Sequence, residues 1–167
     1  MSNGAFVTCD LLDDHPTTQV MSPSIDGKSF KNFGGKCAFG GEVVTVKCFE
    51  DNSRVKELLA TDGQAKVLVV DGGASMRCAL MGDLIAESAV KHNWAGVVIY
   101  GCVRDVDALA QLDLGIQALA AIPQKSNRQG AGETGLTLKF GGVVIAQGDY
   151  IYADNNGILV SNQSLIK

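Results

Sequence analysis

Two aspartates and one arginine are the residues of this chain whose types and spacing could do chemistry. Asp83 stands in a Gly-Asp-Leu-Ile segment, and the pair Arg104-Asp105 follows after a spacer of twenty residues. Two carboxylates suit a hard divalent cation, and a guanidinium suits a small anionic substrate. The three side chains therefore indicate a site for a metal ion and an anion, provided that the fold brings them to one place.

The spacer is predicted to form a helix followed by a strand. Residues 83–93 have helical spacing, and residues 96–100 form an apolar run that is typical of a buried strand. A helix of this length spans about 16 Å, and five strand residues return about 17 Å. The chain can therefore run away from Asp83 and come back, which places both carboxylates and the guanidinium on the same rim.

The elements around this pair predict a mixed α/β protein. The apolar run 66–70 is typical of a buried strand, and with the spacer it gives a β-α-β order, which favours parallel strands with a right-handed crossover. Trp94 is expected to pack beside the helix end, and Asp149 and Asp154 to serve turns. Further helices are expected over 6–14, 54–61, 74–81 and 105–111, further strands over 43–49, 116–122, 136–140, 143–147, 150–152 and 158–161, and a hairpin turn at 155–157.

Ligands of such a sheet gather beyond the carboxyl ends of its strands, where 71–73 and 101–105 are expected to lie. A helix that starts after Gly82 has free backbone N–H groups, those of Leu84 and Ile85 among them, and these can receive a carboxylate. A substrate carboxylate there, a metal ion at Asp105 and Arg104 beside both would form one pocket.

Each component of this pocket also has a structural alternative. Asp83 would serve as the N-cap of its helix, which is the commoner role of an aspartate at a helix start. Arg104 and Asp105 would form an exposed charge pair worth at most about 1 kcal/mol. The segment 71–73, Asp-Gly-Gly, would be a turn that ends a strand. Spacing alone leaves these alternatives open.

Composition narrows the functional classes. The chain has 167 residues, 46% of them hydrophobic, and a formal net charge of −4, which indicates one domain over 1–167 and no direct nucleic-acid binding. No apolar run is long enough to span a bilayer and the N-terminus lacks the features of a signal peptide, so a cytoplasmic location is expected. The five cysteines show no CxxC pair and are expected to be reduced. Walker-type, GxGxxG, HExxH and GxSxG motifs are absent.

Several segments, in their order along nearly the whole chain, resemble the regulator of ribonuclease activity A family. The resemblance implies a β/β/α sandwich, similar to a swivelling domain, with a central mixed sheet, and a homotrimeric ring with sites at the subunit interfaces. The matching segments are NFGG at 32–35, TVKCFEDN at 45–52, VLVVDGG at 67–73, VIYG at 98–101 with Val103-Arg104, LGIQA at 114–118 and GDYIYADN at 148–155.

The same superfamily contains metal-dependent 4-hydroxy-4-methyl-2-oxoglutarate aldolases, whose pattern of an aspartate, twenty residues and an Arg-Asp pair is matched by Asp83, Arg104 and Asp105. Regulator-type members tend to depart from it after the arginine, so the intact Asp105 favours an enzyme. The resemblance implies that Asp105 binds Mg²⁺ or Mn²⁺, Asp83 holds a water of the ion, Arg104 contacts the substrate, and the backbone of residues 82–85 receives its carboxylate.

The implied reaction is cleavage of 4-hydroxy-4-methyl-2-oxoglutarate to two pyruvates, with the cation as Lewis acid. Oxaloacetate decarboxylation passes through the same pyruvate enolate and is the expected secondary activity. The family's machinery also includes an acidic residue from a neighbouring subunit, to which no residue of this sequence is assigned. The alternative function is a non-enzymatic regulator that binds and inhibits an RNA-processing endoribonuclease, which the acidic charge and the whole-chain similarity favour.

Overall fold

The computed structural model describes residues 6–166. Its helices are α1 (Thr8–Asp14), α2 (Ser53–Leu59), α3 (Asp83–Lys91) and α4 (Val106–Leu109). Its strands are β1 (Gln19–Val20), β2 (Lys31–Asn32), β3 (Phe39–Lys47), β4 (Val67–Asp71), β5 (Ala79–Met81), β6 (Gly96–Val103), β7 (Gly115–Ala121), β8 (Glu133–Thr134), β9 (Leu138–Phe140), β10 (Val143–Ile145), β11 (Tyr150–Asp154) and β12 (Gly157–Ser161).

Ten of these strands form one mixed sheet, whose main path is β1-β12-β11-β3-β4-β6-β7-β2. Its centre is parallel: β3 pairs with β4, β4 with β6, and β6 with β7. The short strand β5 joins β6 in parallel, and β8 joins β3 antiparallel. Strands β9 and β10 form a separate hairpin. The mixed α/β class predicted from the sequence is confirmed.

The central strands are buried on both faces, as their continuous apolar sequences predict. In β4, Leu68 and Val70 pack into one core with residues of α2 and α3. Their neighbours Val67 and Val69 pack into a second core with residues of β9 to β12. The parallel centre of the sheet therefore lies between a helical layer and a layer formed by strands β9 to β12, which is the β/β/α sandwich that the family resemblance implies.

The prediction of a helix over 74–81 is wrong. Gly73 and Ala74 have left-handed backbones (φ 65° and 57°), and the Ala74 N–H bonds to the carbonyl of Tyr100 at 3.1 Å. The segment then extends into β5, whose residues are all buried. Periodicity cannot assign so short an apolar run, and the open edge of β6 makes it a strand. Strand β5 leads directly into Gly82.

Other elements differ from the predictions mainly in length. Strand β6 continues three residues beyond 100, and α4 covers only Val106–Leu109 of the predicted 105–111. The predicted hairpin at 155–157 is confirmed by the pairing of Asp154 with Gly157. Trp94 is buried as predicted, and its indole N–H donates to the carbonyl of Thr61 at 2.9 Å. Within residues 6–166, no helix is both long and apolar enough to cross a membrane.

Candidate functional site

A cavity of about 450 Å³ lies beyond the carboxyl ends of β5 and β6. Its walls come from residues 52, 79, 82–85, 104–105 and 125–128. Because β5 and β6 are parallel neighbours, the residues that follow them, 82–83 and 104–105, emerge side by side. The structure therefore brings the aspartates and the arginine singled out in the sequence to the rim of one cavity.

Asp105 occupies the corner where β6 turns into α4. Its backbone is left-handed (φ 58°, ψ 41°), a conformation that aspartate adopts more readily than most residues. Its Oδ2 accepts a hydrogen bond from the backbone N–H of Asp83 at 3.0 Å and lies 3.9 Å from Nε of Arg104. Both contacts use Oδ2, so the other oxygen, Oδ1, can take a further ligand.

Helix α3 begins with backbone donors directed at this corner. Its N-cap is Gly82, and the first intrahelical bond runs from the Ala86 N–H to the Gly82 carbonyl at 3.1 Å. The Asp83 N–H already serves Asp105, so the N–H groups of Leu84 and Ile85 are the ones left for an anion. Asp83 is the first residue of the helix rather than its N-cap, so the structural alternative for Asp83 is wrong.

Glycine at position 82 is required by the close approach of Asp105. A Cβ on Gly82 would lie 2.4 Å from Asp105 Oδ2 and 3.2 Å from Cγ of Arg104. Both distances are shorter than ordinary van der Waals contact. The absence of a side chain at this position thus lets the Asp105 carboxylate reach the start of α3.

Arg104 is fixed at its backbone and accessible at its guanidinium. Its N–H bonds to the Met81 carbonyl at 3.0 Å, and Nη1 contacts the Pro123 carbonyl at 3.4 Å. The side chains of Arg104 and Asp105 are 39% and 38% exposed, so their ion pair contributes little to stability. The guanidinium can therefore still bind an anion in the cavity.

The structure adds polar residues that sequence reasoning missed, among them Asn52, Lys125 and Arg128. Asn52 is 4% exposed, and its Nδ2 donates to the Leu80 carbonyl at 3.0 Å. Its Oδ1 accepts a hydrogen bond from Nε of Arg128 at 3.1 Å. The signal in the sequence was the polar, basic run 125–128 shortly after Pro123, but no periodicity assigns such a loop to a position in the fold.

Asp51 anchors the chain that follows this loop. It is 4% exposed, and its carboxylate accepts bonds from the Ser53 N–H at 2.9 Å, the Ser53 hydroxyl at 2.6 Å and the Gln129 N–H at 2.7 Å. Burial favours the neutral acid, but these hydrogen bonds, with one from Ala131, outweigh it and lower the pKa of Asp51 to about 2. Asp51 is therefore ionised and fully engaged.

The cavity suits a cation that keeps much of its own water. Within residues 6–166, no three His, Cys, Asp or Glu side chains lie close enough together to hold a metal ion. Mg²⁺ is commonly bound by one or two carboxylates and retains several waters. The carboxylates of Asp83 and Asp105, at the rim of an open cavity, fit that kind of binding.

The three buried cysteines carry no reactive thiolate. Cys48, Cys78 and Cys102 are buried, and burial raises the pKa of each thiol, that of Cys48 to about 12. These three thiols are therefore protonated at neutral pH. The chemistry of the cavity depends on its carboxylates, cations and backbone donors.

The fold and the cavity define a class, the β/β/α sandwich proteins with an acidic and basic pocket at the ends of parallel strands. The family model described as RraA-like, Aldolase/RraA, matches residues 8–160. The chain belongs to this family, and the resemblance inferred from its motifs is confirmed.

Relatives and solved structures agree with this assignment. A protein of Acinetobacter baylyi named "Putative 4-hydroxy-4-methyl-2-oxoglutarate aldolase" is 75% identical over 163 residues, which cover 96% of both chains. The structure titled S-adenosylmethionine: 2-dimethylmenaquinone methyltransferase from Geobacillus kaustophilus has a TM-score of 0.90 at 40% identity, over 96% of this chain and 97% of that one. The RNA-processing inhibitor RraA from Thermus thermophilis has a TM-score of 0.89 at 41% identity, over 95% and 94%.

Proposed function

We propose that this protein is a divalent-metal-dependent lyase that cleaves 4-hydroxy-4-methyl-2-oxoglutarate to two pyruvates and, secondarily, decarboxylates oxaloacetate. The observation that carries the proposal is the position of Asp105, whose carboxylate bonds to the backbone of Asp83 and lies beside Arg104 at one cavity. The aldolase name carried by close relatives supports the same reaction class.

The substrate's 2-oxo carboxylate would bind at the start of α3. The N–H groups of Leu84 and Ile85 are not used by the helix, and the helix dipole adds a partial positive charge there. Arg104, with its guanidinium accessible from the cavity, would lie beside the 2-oxo group. These contacts would determine which bond of the substrate faces the acidic corner.

Asp105 would bind Mg²⁺ or Mn²⁺ through its carboxylate, and Asp83 would orient a water of the ion's hydration shell. When bound, the cation supplies Lewis-acid polarisation of the 2-oxo acid. Both carboxylates line the cavity, so both can face one ion and its water.

In the cleavage itself, the C3–C4 bond breaks and its electron pair moves toward C3 and the 2-oxo oxygen, which gives the enolate of pyruvate. The C4 hydroxyl gives its proton to water and becomes the ketone of the second pyruvate, and the enolate takes a proton from water at C3, so that two pyruvates leave and no net proton is consumed. Arg104 would stabilise the negative charge that develops in this step, because its guanidinium is preorganised and only partly hydrated. Oxaloacetate gives the same enolate when its C3–C4 bond breaks with loss of CO₂.

A coupled assay of pyruvate release tests the proposal. Both substrates are expected to be consumed with Mg²⁺ or Mn²⁺ present, with loss of activity after EDTA and recovery when the ion is returned. Binding of Mn²⁺, followed by its electron paramagnetic resonance signal, should be weakened in Asp105→Ala. The lyase function is wrong if the metal-supplied wild type is no faster than Asp105→Ala on either substrate.

A homotrimeric assembly belongs to this proposal. Leu84, which lines the cavity, is 76% exposed. Exposed apolar side chains beside a site are typical of a surface that a further subunit covers. Sedimentation equilibrium should give about three times the chain mass of 17.5 kDa. A monomer at micromolar concentration would contradict the assembly.

A second function, regulation of an endoribonuclease by direct binding, is favoured by one observation. The RNA-processing inhibitor RraA from Thermus thermophilis matches nearly the whole chain at 41% identity. The net charge of −4 suits a basic protein surface. Immobilised protein should retain a purified RNA-processing endoribonuclease, and neutralising exposed acidic residues should weaken that binding. No binding at micromolar concentrations would exclude this role for the pair tested.

A further inference from the structure

We infer that Lys125 and Arg128 form the subsite for the distal carboxylate of the substrate, and that these two cations make the site selective for 2-oxo diacids over 2-oxo monoacids. The inference rests on the proposed function. The two residues belong to the loop 125–128, which forms a part of the cavity wall that is separate in sequence from Asp83 and Asp105.

The loop contributes positive charge that the protein does not neutralise. Lys125 and Arg128 both line the cavity, and within residues 6–166 neither forms a salt bridge with a carboxylate. The start of α3 and Arg104 already provide for one carboxylate of the substrate. Two further cations in the same cavity indicate a second anionic group.

Arg128 is held in a defined orientation. Its Nε donates to Oδ1 of Asn52 at 3.1 Å, and the buried Asn52 is fixed through its Nδ2 to the Leu80 carbonyl at 3.0 Å. One of five guanidinium N–H donors is thereby used, and the four on the terminal nitrogens are left to bind a carboxylate in bidentate fashion. Asn52 thus acts on the guanidinium as a positioning residue.

The backbone of the loop is also fixed before any ligand binds. The Asn127 N–H donates to the Glu50 carbonyl at 3.0 Å, and the Asn127 carbonyl accepts from the Asn52 N–H at 3.2 Å. On the side of Lys125, the Ala79 N–H donates to the Gln124 carbonyl at 2.7 Å. A loop ordered in this way loses little further entropy on binding, which favours affinity for a charged group of fixed position.

The charges of the cavity match a dianion better than a monoanion. Its walls carry the two carboxylates of Asp83 and Asp105 against the three cations Arg104, Lys125 and Arg128. A divalent cation adds further positive charge. A 2-oxo diacid offsets this excess with both of its carboxylates, whereas a 2-oxo monoacid leaves the cations of the loop unpaired.

Equilibrium binding separates the subsite from the reaction. In the presence of Mg²⁺, 2-oxoglutarate serves as a diacid probe that has no C4 hydroxyl to cleave, and 2-oxobutyrate serves as the monoacid probe. Isothermal titration should show that the Kd for 2-oxoglutarate rises about 10- to 100-fold in Lys125→Met and in Arg128→Met, because each variant loses a charged hydrogen bond to the ligand. The Kd for 2-oxobutyrate should stay within about twofold.

Two further variants sharpen this experiment. Arg128→Lys keeps the charge and should lose less affinity for 2-oxoglutarate than Arg128→Met. Lys139→Met removes a cation from the exposed face of β9, outside the cavity, and should bind both probes like the wild type. If Arg128→Met weakens both probes equally, or if neither loop variant weakens 2-oxoglutarate, the subsite assignment is wrong.

A separate measurement distinguishes a wrong subsite assignment from a wrong proposed function. Pyruvate lacks a distal carboxylate, so exchange of its methyl protons with D₂O, followed by NMR, reports the enolate chemistry alone. The subsite is supported if the wild type, Lys125→Met and Arg128→Met all exchange these protons while the two variants show a raised KM for 4-hydroxy-4-methyl-2-oxoglutarate. Loss of exchange in the loop variants overturns it, and absence of exchange in the wild type counts against the lyase function instead.

Discussion

Two aspartates near the same cavity, Asp51 and Asp105, show how similar local chemistry can be used in different ways. Both carboxylates accept backbone N–H bonds from a distant part of the chain. Asp51 is 4% exposed and accepts bonds from Ser53, Gln129 and Ala131. The Asp105 side chain is 38% exposed, and one backbone bond, from Asp83, reaches it.

The difference separates a carboxylate that holds the structure together from one that can bind a ligand. Asp51 uses its oxygens to tie the chain after Arg128 to the start of α2, and its pKa of about 2 reflects that engagement. Asp105 sits on a left-handed backbone at the rim of the cavity and uses a single oxygen. Strained backbone of this kind is commonly retained at functional positions.

The largest effect should come from Asp105→Asn. Asparagine tolerates the left-handed backbone and keeps one oxygen for the Asp83 N–H, so the midpoint of thermal unfolding should change by only a few degrees. Pyruvate release should fall by roughly 100-fold or more, because even partners outside the first coordination sphere contribute 10- to 100-fold to metal sites.

Asp107→Asn provides the matched control for that substitution. Asp107 lies two residues further on, in the first turn of α4, and is exposed. Its rate of pyruvate release should equal that of the wild type. Equal losses in both variants would remove the distinction drawn for Asp105.

Gly82→Ala should have the next largest effect. The new methyl group would lie only 2.4 Å from Asp105 Oδ2 and would displace the carboxylate from the start of α3. Activity is expected to fall by about 10- to 100-fold. Circular dichroism melts should show a much smaller change, because the clash involves the ends of partly exposed side chains. An active Gly82→Ala variant would show that Asp105 need not approach α3.

Asp51→Asn should lower stability more than activity, which is the opposite of what is expected for Gly82→Ala. The amide cannot accept all of the bonds that the carboxylate accepts, so the free energy of unfolding should fall by about 1–3 kcal/mol. Urea titration at pH 7 measures this change. Because the loop 125–128 loosens with it, KM for the diacid substrate should rise more than kcat falls. A loss of kcat at unchanged stability would instead place Asp51 in the catalytic machinery.

The pH dependence of stability should give the smallest effect. The pKa of Asp51 is lowered from 3.8 to about 2 in the folded protein, so its stabilising contribution is present above pH 4 and is lost as the pH falls toward 2. The difference in unfolding free energy between wild type and Asp51→Asn should therefore shrink, by on the order of 2 kcal/mol, across this range. Asp154, whose pKa is also lowered, loses its own contribution in the same way in both proteins and therefore cancels from the difference. A difference that stays constant between pH 5 and 2 would contradict this assignment.

The sequence predicted the central part of the fold well. The continuous apolar run of β4 and the β-α-β order that includes α3 and β6 identify parallel buried strands, because burial on both faces demands such sequences. Strand β5 was missed, because three apolar residues carry no periodicity and become a strand only through the edge of β6. The length of a short element is decided by tertiary contacts.

Only a part of the candidate site was predicted, because tertiary contacts also decide where its loop residues lie. Asp83 and the pair Arg104-Asp105 could be brought together from spacing, because the helix and strand between them have calculable lengths. Lys125 and Arg128 could not, since their positions depend on backbone bonds such as that between Ala79 and Gln124. Loops held by such long-range bonds leave no local pattern in the sequence.

The parallel centre of the sheet also has a consequence for folding. The walls of the cavity come from chain positions 52 to 128, and they meet only after β4, β5, β6 and β7 have paired in register. Pairings between strands distant in sequence form slowly, whereas helices such as α3 form locally and fast. After dilution from denaturant, the helical circular dichroism signal should therefore return before turnover of substrate. The time at which activity returns would then report when the sheet is complete.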